Sequence, residues 1–174
     1  MARLVLNETA KNEIQSILAK YKSYTTFGSS KNYLIVLEKL IKSCNDFCPF
    51  TGVLYPDRKF SIEHFHFRHS TNSQEDLTLE NLYPCCQDAN VPTKQRSLTL
   101  DPKIIDYVDR LYIDTSDFLV KPKDENDKEA KDTIEQFSLN KNNQLQTNRM
   151  SEYNKKFIFK TNSATKYSFS EYFN

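Results

Sequence analysis

Glycine is nearly absent from this chain: of 174 residues, only Gly28 and Gly52 are glycine. Nucleotide-binding loops cradle phosphates with clustered glycines, whose bare backbone N–H groups approach the ligand closely. Two isolated glycines exclude such a loop, and with it a P-loop or dinucleotide site. Any ATP dependence then belongs to a second chain. Long apolar runs are missing too. Nothing approaches the roughly 20 residues that span a bilayer, and the opening Met1–Leu6 stretch is too short for a signal peptide. The expectation is a soluble, cytoplasmic protein with no membrane association. Charge of one sign is also lacking, with 24 Lys and Arg against 23 Asp and Glu and a formal net charge of +1. A phosphate-binding surface must therefore come from local clustering rather than from overall charge.

What is present changes character along the chain. Asn7 is placed to cap a helix whose apolar positions Ala10, Ile14, Ile17, Leu18 and Tyr21 follow helical spacing. The small polar stretch Ser23–Ser30 reads as a turn. A second helix over Lys31–Ser43 carries Tyr33, Leu34, Leu37, Leu40 and Ile41 on one face. From Asn45 to about Lys94 come prolines, Gly52 and short apolar runs. Lys59–Ile62 alternates like a strand, and Asn81–Cys85 is a second extended candidate. Asp88 then suits the cap of a helix with Pro92 in its first turn, a helix that would bring Asn90 and Lys94 to one face. Beyond Leu100 the sequence becomes polar. Lys121–Asp132 is dense in charges of both signs, as in a solvated loop or an exposed helix start, and Ala130, Ile134 and Phe137 follow as a short helical stripe. The segment Tyr153–Asn174 mixes aromatics with Lys, Ser, Thr and Asn, which fits a strand pair or a segment that orders on a partner.

Chemistry concentrates in one place. All three histidines, His64, His66 and His69, fall within a few residues, and Glu63 precedes the first. A single-metal phosphodiesterase needs one neutral imidazole to take a proton from water near neutral pH. It also needs hard oxygen ligands to hold a cation against the scissile phosphate. A carboxylate beside an imidazole, followed later by an amide on a helix, supplies both.

The ordered pieces Cys48-Pro49-Phe50-Thr51-Gly52, Ile62-Glu63-His64-Phe65, Asn81-Leu82 and Cys86-Gln87-Asp88-Ala89-Asn90, with Lys94, resemble an HNH (ββα-metal) nuclease core. The spacing from Asn81 to Asn90 is similar to that in the HNH domains of CRISPR effector nucleases. Further on, Leu100-Asp101-Pro102, Phe118–Pro122, Ala130, Thr133-Ile134 and Leu139-Asn140 to Arg149 resemble the distal half of the HNH subunit of Septu-type and retron-linked anti-phage systems. That family often has Glu-His-Phe-Arg-Pro where this chain has Glu63-His64-Phe65-His66-Phe67, so the usual arginine and proline are replaced here.

The resemblance implies an α+β fold in which a ββα-metal core over 45–100 is embedded in a mainly helical small domain. The helical pair 1–44 would precede the core and a polar, helical extension 101–174 would follow it. His64 would be the general base, Glu63 and Asn90 the protein ligands of Mg²⁺ or Mn²⁺, and Asn81 the residue that bonds backbone near His64 and fixes the loop. As a base at a strand end, His64 should support little of the core. Arg68, Lys94 and Arg96 would contact phosphate, with Arg58 and Lys59 close by. His66 is open to metal, to phosphate, or to a plain surface role; His69 reads as a solvated loop residue. The target would be nucleic acid, DNA before RNA, and the partner an ATPase subunit that gates the nuclease, met by the first two helices and the aromatic tail. A module that has lost chemistry and only binds the ATPase or nucleic acid is the alternative.

The cysteines stand differently. Many HNH proteins hold a structural zinc with two Cys-x-x-Cys pairs. Here the second members are Thr51 and Ala89, and Cys44, Cys48, Cys85 and Cys86 have poor spacing for a tetrahedral site. No structural zinc is expected, and buried thiols should fill its position. Without a secretion signal, disulfides are not expected either.

Overall fold

The computed structural model describes residues 6–55, 57–65, 74–89, 100–141, 143–157 and 166–168. It shows a mixed α+β chain with small antiparallel sheets. Helix α1 (Glu8–Leu18) starts where Asn7 Oδ1 accepts the Ala10 N–H at 2.8 Å, which satisfies one of the orphan donors of its first turn. Its stripe buries Ile14 and Leu18. Helix α3 (Asn32–Lys42) buries Val36, Leu37, Leu40 and Ile41, and Lys39 pairs with Glu13 of α1. The stretch read as a turn between them contains a short helix instead, α2 (Tyr24–Gly28). Ser23 caps it through the Thr26 N–H and hydroxyl, and Phe27 fixes it by filling the core.

Two strands follow. β1 (Phe60–His64) and β2 (Leu82–Cys86) form an antiparallel ribbon in which Phe60 faces Cys86, Ile62 faces Pro84, and His64 faces Leu82. Both run further than the sequence pattern suggested at one end. A short 3-10 turn, Leu79–Asn81, delivers the chain into β2. Before β1, Cys48–Val53 makes a tight knuckle: the Cys48 N–H meets Val53 O at 2.9 Å and the Gly52 N–H meets Cys48 O at 2.8 Å. Gly52 takes φ 73° there, a left-handed conformation that costs a glycine nothing.

The C-terminal part is less polar in space than in sequence. After α4 (Tyr107–Arg110), strands β3 (Leu111–Asp114), β4 (Val120–Pro122) and β5 (Lys166–Ser168) pair in the order β4-β3-β5. Helix α5 (Lys128–Gln136) begins at Asp127, whose carboxylate accepts the Ala130 N–H at 3.0 Å and also pairs with Arg110. Helix α6 (Asn143–Phe157) places Arg149 in the interior, where its guanidinium donates to Leu139 O at 2.7 Å and Phe118 O at 3.2 Å. Asn140 clasps Val120 through both its N–H and its C=O, each at 2.8 Å.

One contiguous apolar core runs from Ile14 to Leu145. Phe50 of the knuckle stacks on Phe137 with centroids 4.0 Å apart, and Phe50 also meets Tyr83 of β2. The residues that carried the distal resemblance therefore do structural work. Leu100 donates to Thr133, Asn140 holds β4, and Arg149 ties two loops together. Among the described residues no helix is long and apolar enough to cross a membrane.

Candidate functional site

The ribbon end at His64 is where two of the motif pieces meet. Past the last rung, His64 opposite Leu82, the chain makes one more link: the Phe65 N–H donates to the carbonyl of Asn81 at 2.9 Å. Asn81 in turn gives its own N–H to Thr78 O at 3.0 Å, closing the 3-10 turn. The motif pieces 62–65 and 81–82 are thus side by side. The link past His64 is made by the Asn81 main-chain carbonyl.

The polar residues here lie deep. Glu63 is 8 % exposed, His64 9 % and Asn81 5 %. Consecutive positions of an extended strand leave on opposite faces, so Glu63 and His64 are each covered by a different part of the protein. His64 lies edge-on to the Tyr24 ring, with centroids 4.3 Å apart and planes at 79°. Tyr24 belongs to α2, and it touches Phe27 and Tyr33 as well. The outer edge of β1 is held from the same side, because the Ile62 N–H donates to the Tyr33 hydroxyl at 2.9 Å. Helices α2 and α3 therefore form the wall behind the histidine. His64 contributes to packing, contrary to the expectation that a base at a strand end supports little core.

At the ribbon's far end the Gln87 N–H meets Lys59 O at 2.9 Å, and Arg58 pairs with Asp88 at 3.5 Å. Arg58 thus has an acidic neighbour, which lowers its value as a phosphate contact. Asp88, expected to cap a helix, lies in a turn. His66, Arg68, His69, Asn90, Lys94 and Arg96 fall outside the described residues, as does the helix expected after Asp88.

The four thiols are free and buried. Cys48 Sγ receives the Cys86 N–H at 3.4 Å, and Cys86 Sγ lies 3.1 Å from the Thr51 hydroxyl. Burial pushes the Cys44 thiol up to about 12 and raises Cys85 well above the ordinary value. Cys86 is raised chiefly by its contact with Cys48. Burial alone would raise Cys48 too, but the donors around its sulfur, Cys85, Cys86 and Thr51, outweigh it and bring that thiol down. Among the described residues no three of His, Cys, Asp and Glu converge as a metal ion requires. Of the expected cation ligands, Glu63 alone is placed; its carboxylate is the hard donor that Mg²⁺ or Mn²⁺ prefers.

Sequence reasoning missed Tyr24 and Tyr33 as residues of this site. Tyr33 was visible only as part of a helical stripe, and Tyr24 only as a turn residue. The capping pattern Ser23-x-x-Thr26 was the available signal for α2. Comparison of the chain with protein-family models, with curated proteins and with solved structures gives no match.

Proposed function

We propose that this chain is a metal-dependent HNH endonuclease that hydrolyses phosphodiesters, DNA first, with its site at the end of the β1–β2 ribbon. One observation carries the reading. Two motif pieces far apart in sequence, Glu63-His64-Phe65 and Asn81-Leu82, are brought into adjacent register and locked by the Phe65–Asn81 backbone bond. In this reading His64 holds the proton taken from the attacking water. Asn81 fixes the strand end so that the imidazole keeps one orientation, and Glu63 with Asn90 supplies oxygen donors. A bound Mg²⁺ or Mn²⁺ would neutralise charge on the phosphate and the departing oxygen. The ββα-metal core is the architecture this implies. A cytoplasmic ATPase subunit of an anti-phage complex is the proposed partner; it supplies the nucleotide site that two glycines cannot form.

The burial of His64 against Tyr24 favours a second reading, an HNH-like module that has lost chemistry and binds the ATPase or nucleic acid. One experiment separates them. The purified chain, alone and with its genomic neighbour, is incubated with labelled plasmid, linear DNA and RNA in Mg²⁺ or Mn²⁺. Cleavage that vanishes in His64→Ala supports the nuclease, and the substrate cut assigns DNA or RNA. Retention of substrate or partner without cleavage supports the binding module.

A further inference from the structure

Lys103 belongs to none of the chemical motifs, yet its ammonium reaches the turn that carries Asn81. It donates to Leu79 O at 2.8 Å, to Glu80 O at 2.9 Å and to Leu82 O at 3.3 Å. It also lies 3.9 Å from the centroid of the Tyr83 ring. Those carbonyls flank Asn81 on both sides. The lysine is itself anchored. Asp101 Oδ1 accepts the Lys103 backbone N–H at 2.8 Å and the Tyr83 hydroxyl at 2.6 Å, which fixes the base of the side chain against the strand its tip holds.

An ammonium has three protons, and three carbonyls converge on this one. No proton is left for a phosphate, so Lys103 is not one more backbone-contact cation. The flat fork of a guanidinium matches carboxylates and phosphates rather than three carbonyls around a point. Leu79 O also accepts the Leu82 N–H, so at that carbonyl the ammonium adds to a bond that already closes the 3-10 turn. What the clamp fixes is the path of residues 79–82. On that path the Asn81 carbonyl points at the Phe65 N–H and closes β1 just after His64.

We infer that Lys103 is a positioning residue: its ammonium, clamped on the carbonyls of Leu79, Glu80 and Leu82, holds the Asn81 turn in the place that ends β1 at His64. The inference rests on the nuclease reading only for its effect on catalysis; the clamp itself can be measured without any activity. Burial is the main cause that lowers the Lys103 amine to about 8, with Asp101 and Glu80 acting the other way. An amine so lowered would be among the most reactive lysines if it were open, so slow labelling would report the clamp directly.

The experiment compares the full chain with Lys103→Met, which keeps an unbranched side chain of similar length and removes the donors, and with Lys103→Arg. In Lys103→Met the Phe65 amide should exchange at least about tenfold faster, while Gln87 at the other end of the ribbon keeps its protection. Under single-turnover conditions the cleavage rate should fall ~100-fold with little change in substrate affinity, as a displaced catalytic group requires. Lys103→Arg should not restore either property. In the unmodified chain, an amine reagent should label Lys103 at least about tenfold more slowly than the exposed Lys128, and this holds even if Lys103→Met fails to fold. Rapid labelling of Lys103, or unchanged Phe65 exchange in a folded Lys103→Met, overturns the inference. Faster Phe65 exchange in a chain that cuts nothing leaves the clamp standing and removes the nuclease reading instead.

Discussion

Replacing His64 by alanine separates a catalytic histidine from a packed one, because the two roles predict losses of different size. His64 is 9 % exposed and lies edge-on to Tyr24 at 4.3 Å. Such an aromatic pair is worth about 0.5–1.5 kcal/mol beyond the area it covers. With the small cavity left behind, His64→Ala should cost about 2 kcal/mol of stability. A domain with only ~5 kcal/mol to begin with would keep about 3. More than about 99 % of the chains would then remain folded at 25 °C, so unfolding alone cannot lower the rate by even a factor of two. A general base contributes about 100- to 10,000-fold. The assay pairs urea unfolding with single-turnover cleavage of supercoiled plasmid in Mn²⁺. Tyr24→Leu is the control, since it removes the same ring contact and leaves the imidazole in place. The expected result is a similar stability loss in both variants, with cleavage lost only in His64→Ala. Cleavage by His64→Ala within tenfold of the parent, or an equal collapse of activity in Tyr24→Leu, would refute the assignment.

Three further outcomes follow from the structure. Asn140→Ala removes both side-chain bonds that hold Val120, in a part-buried setting, and should lower the unfolding free energy by about 1–2 kcal/mol in urea; a loss below ~0.5 kcal/mol would mean that β4 is held by other means. Stability should fall by more than ~1 kcal/mol between about pH 8.5 and pH 10: Cys44, Cys85 and Cys86 keep their protons in the folded chain, and burial raises Tyr83 likewise, while unfolded thiols release theirs near pH 8.5. Lys103, lowered to about 8, pulls the other way between there and its unfolded value and offsets only about one thiol, so a denaturation midpoint that holds or rises over this range contradicts the burial of the thiols. Chain dialysed against EDTA should retain less than about one zinc per molecule by elemental analysis, because Thr51 stands where a second knuckle cysteine would be.

The two long helices of the N-terminal part were legible because a helix announces itself locally. A cap at Asn7 and an apolar residue every third or fourth position suffice: α3 begins and ends within a residue of its pattern, and α1 starts at its cap but stops at Leu18, short of Tyr21. Helix α2 has too few residues for periodicity to act, and its one buried side chain, Phe27, gives no stripe. Strand β1 was legible in its first half only. Alternation reads Phe60, Ser61 and Ile62 correctly, then meets Glu63 and His64, two polar residues that any local rule would place in water and the fold buries. The C-terminal sheet was hidden for another reason. β3 and β4 bury two side chains and one, respectively, too few to register as strands until Asn140 and Arg149, distant in sequence, supply the bonds that hold their loops.

The place where local reading stops at Glu63-His64 is also where the motif argument begins, and the coincidence has a physical basis. A sequence that only had to fold would put an apolar pair at the end of β1, since burying a carboxylate and an imidazole costs free energy that neighbouring groups must offset. Here the surroundings hold the strand end that carries them. Tyr24 packs on the imidazole, Tyr33 takes the free N–H of Ile62, and Asn81 closes the backbone past the histidine. Lys103 then holds the turn that carries Asn81. The supporting groups come from α2, α3, the 3-10 turn before β2 and the turn after Leu100, four segments scattered along the chain. Periodicity cannot show such a convergence, because each supporter looks ordinary in its own segment. Four segments that look ordinary one by one thus meet at the strand end that carries these two buried polar residues.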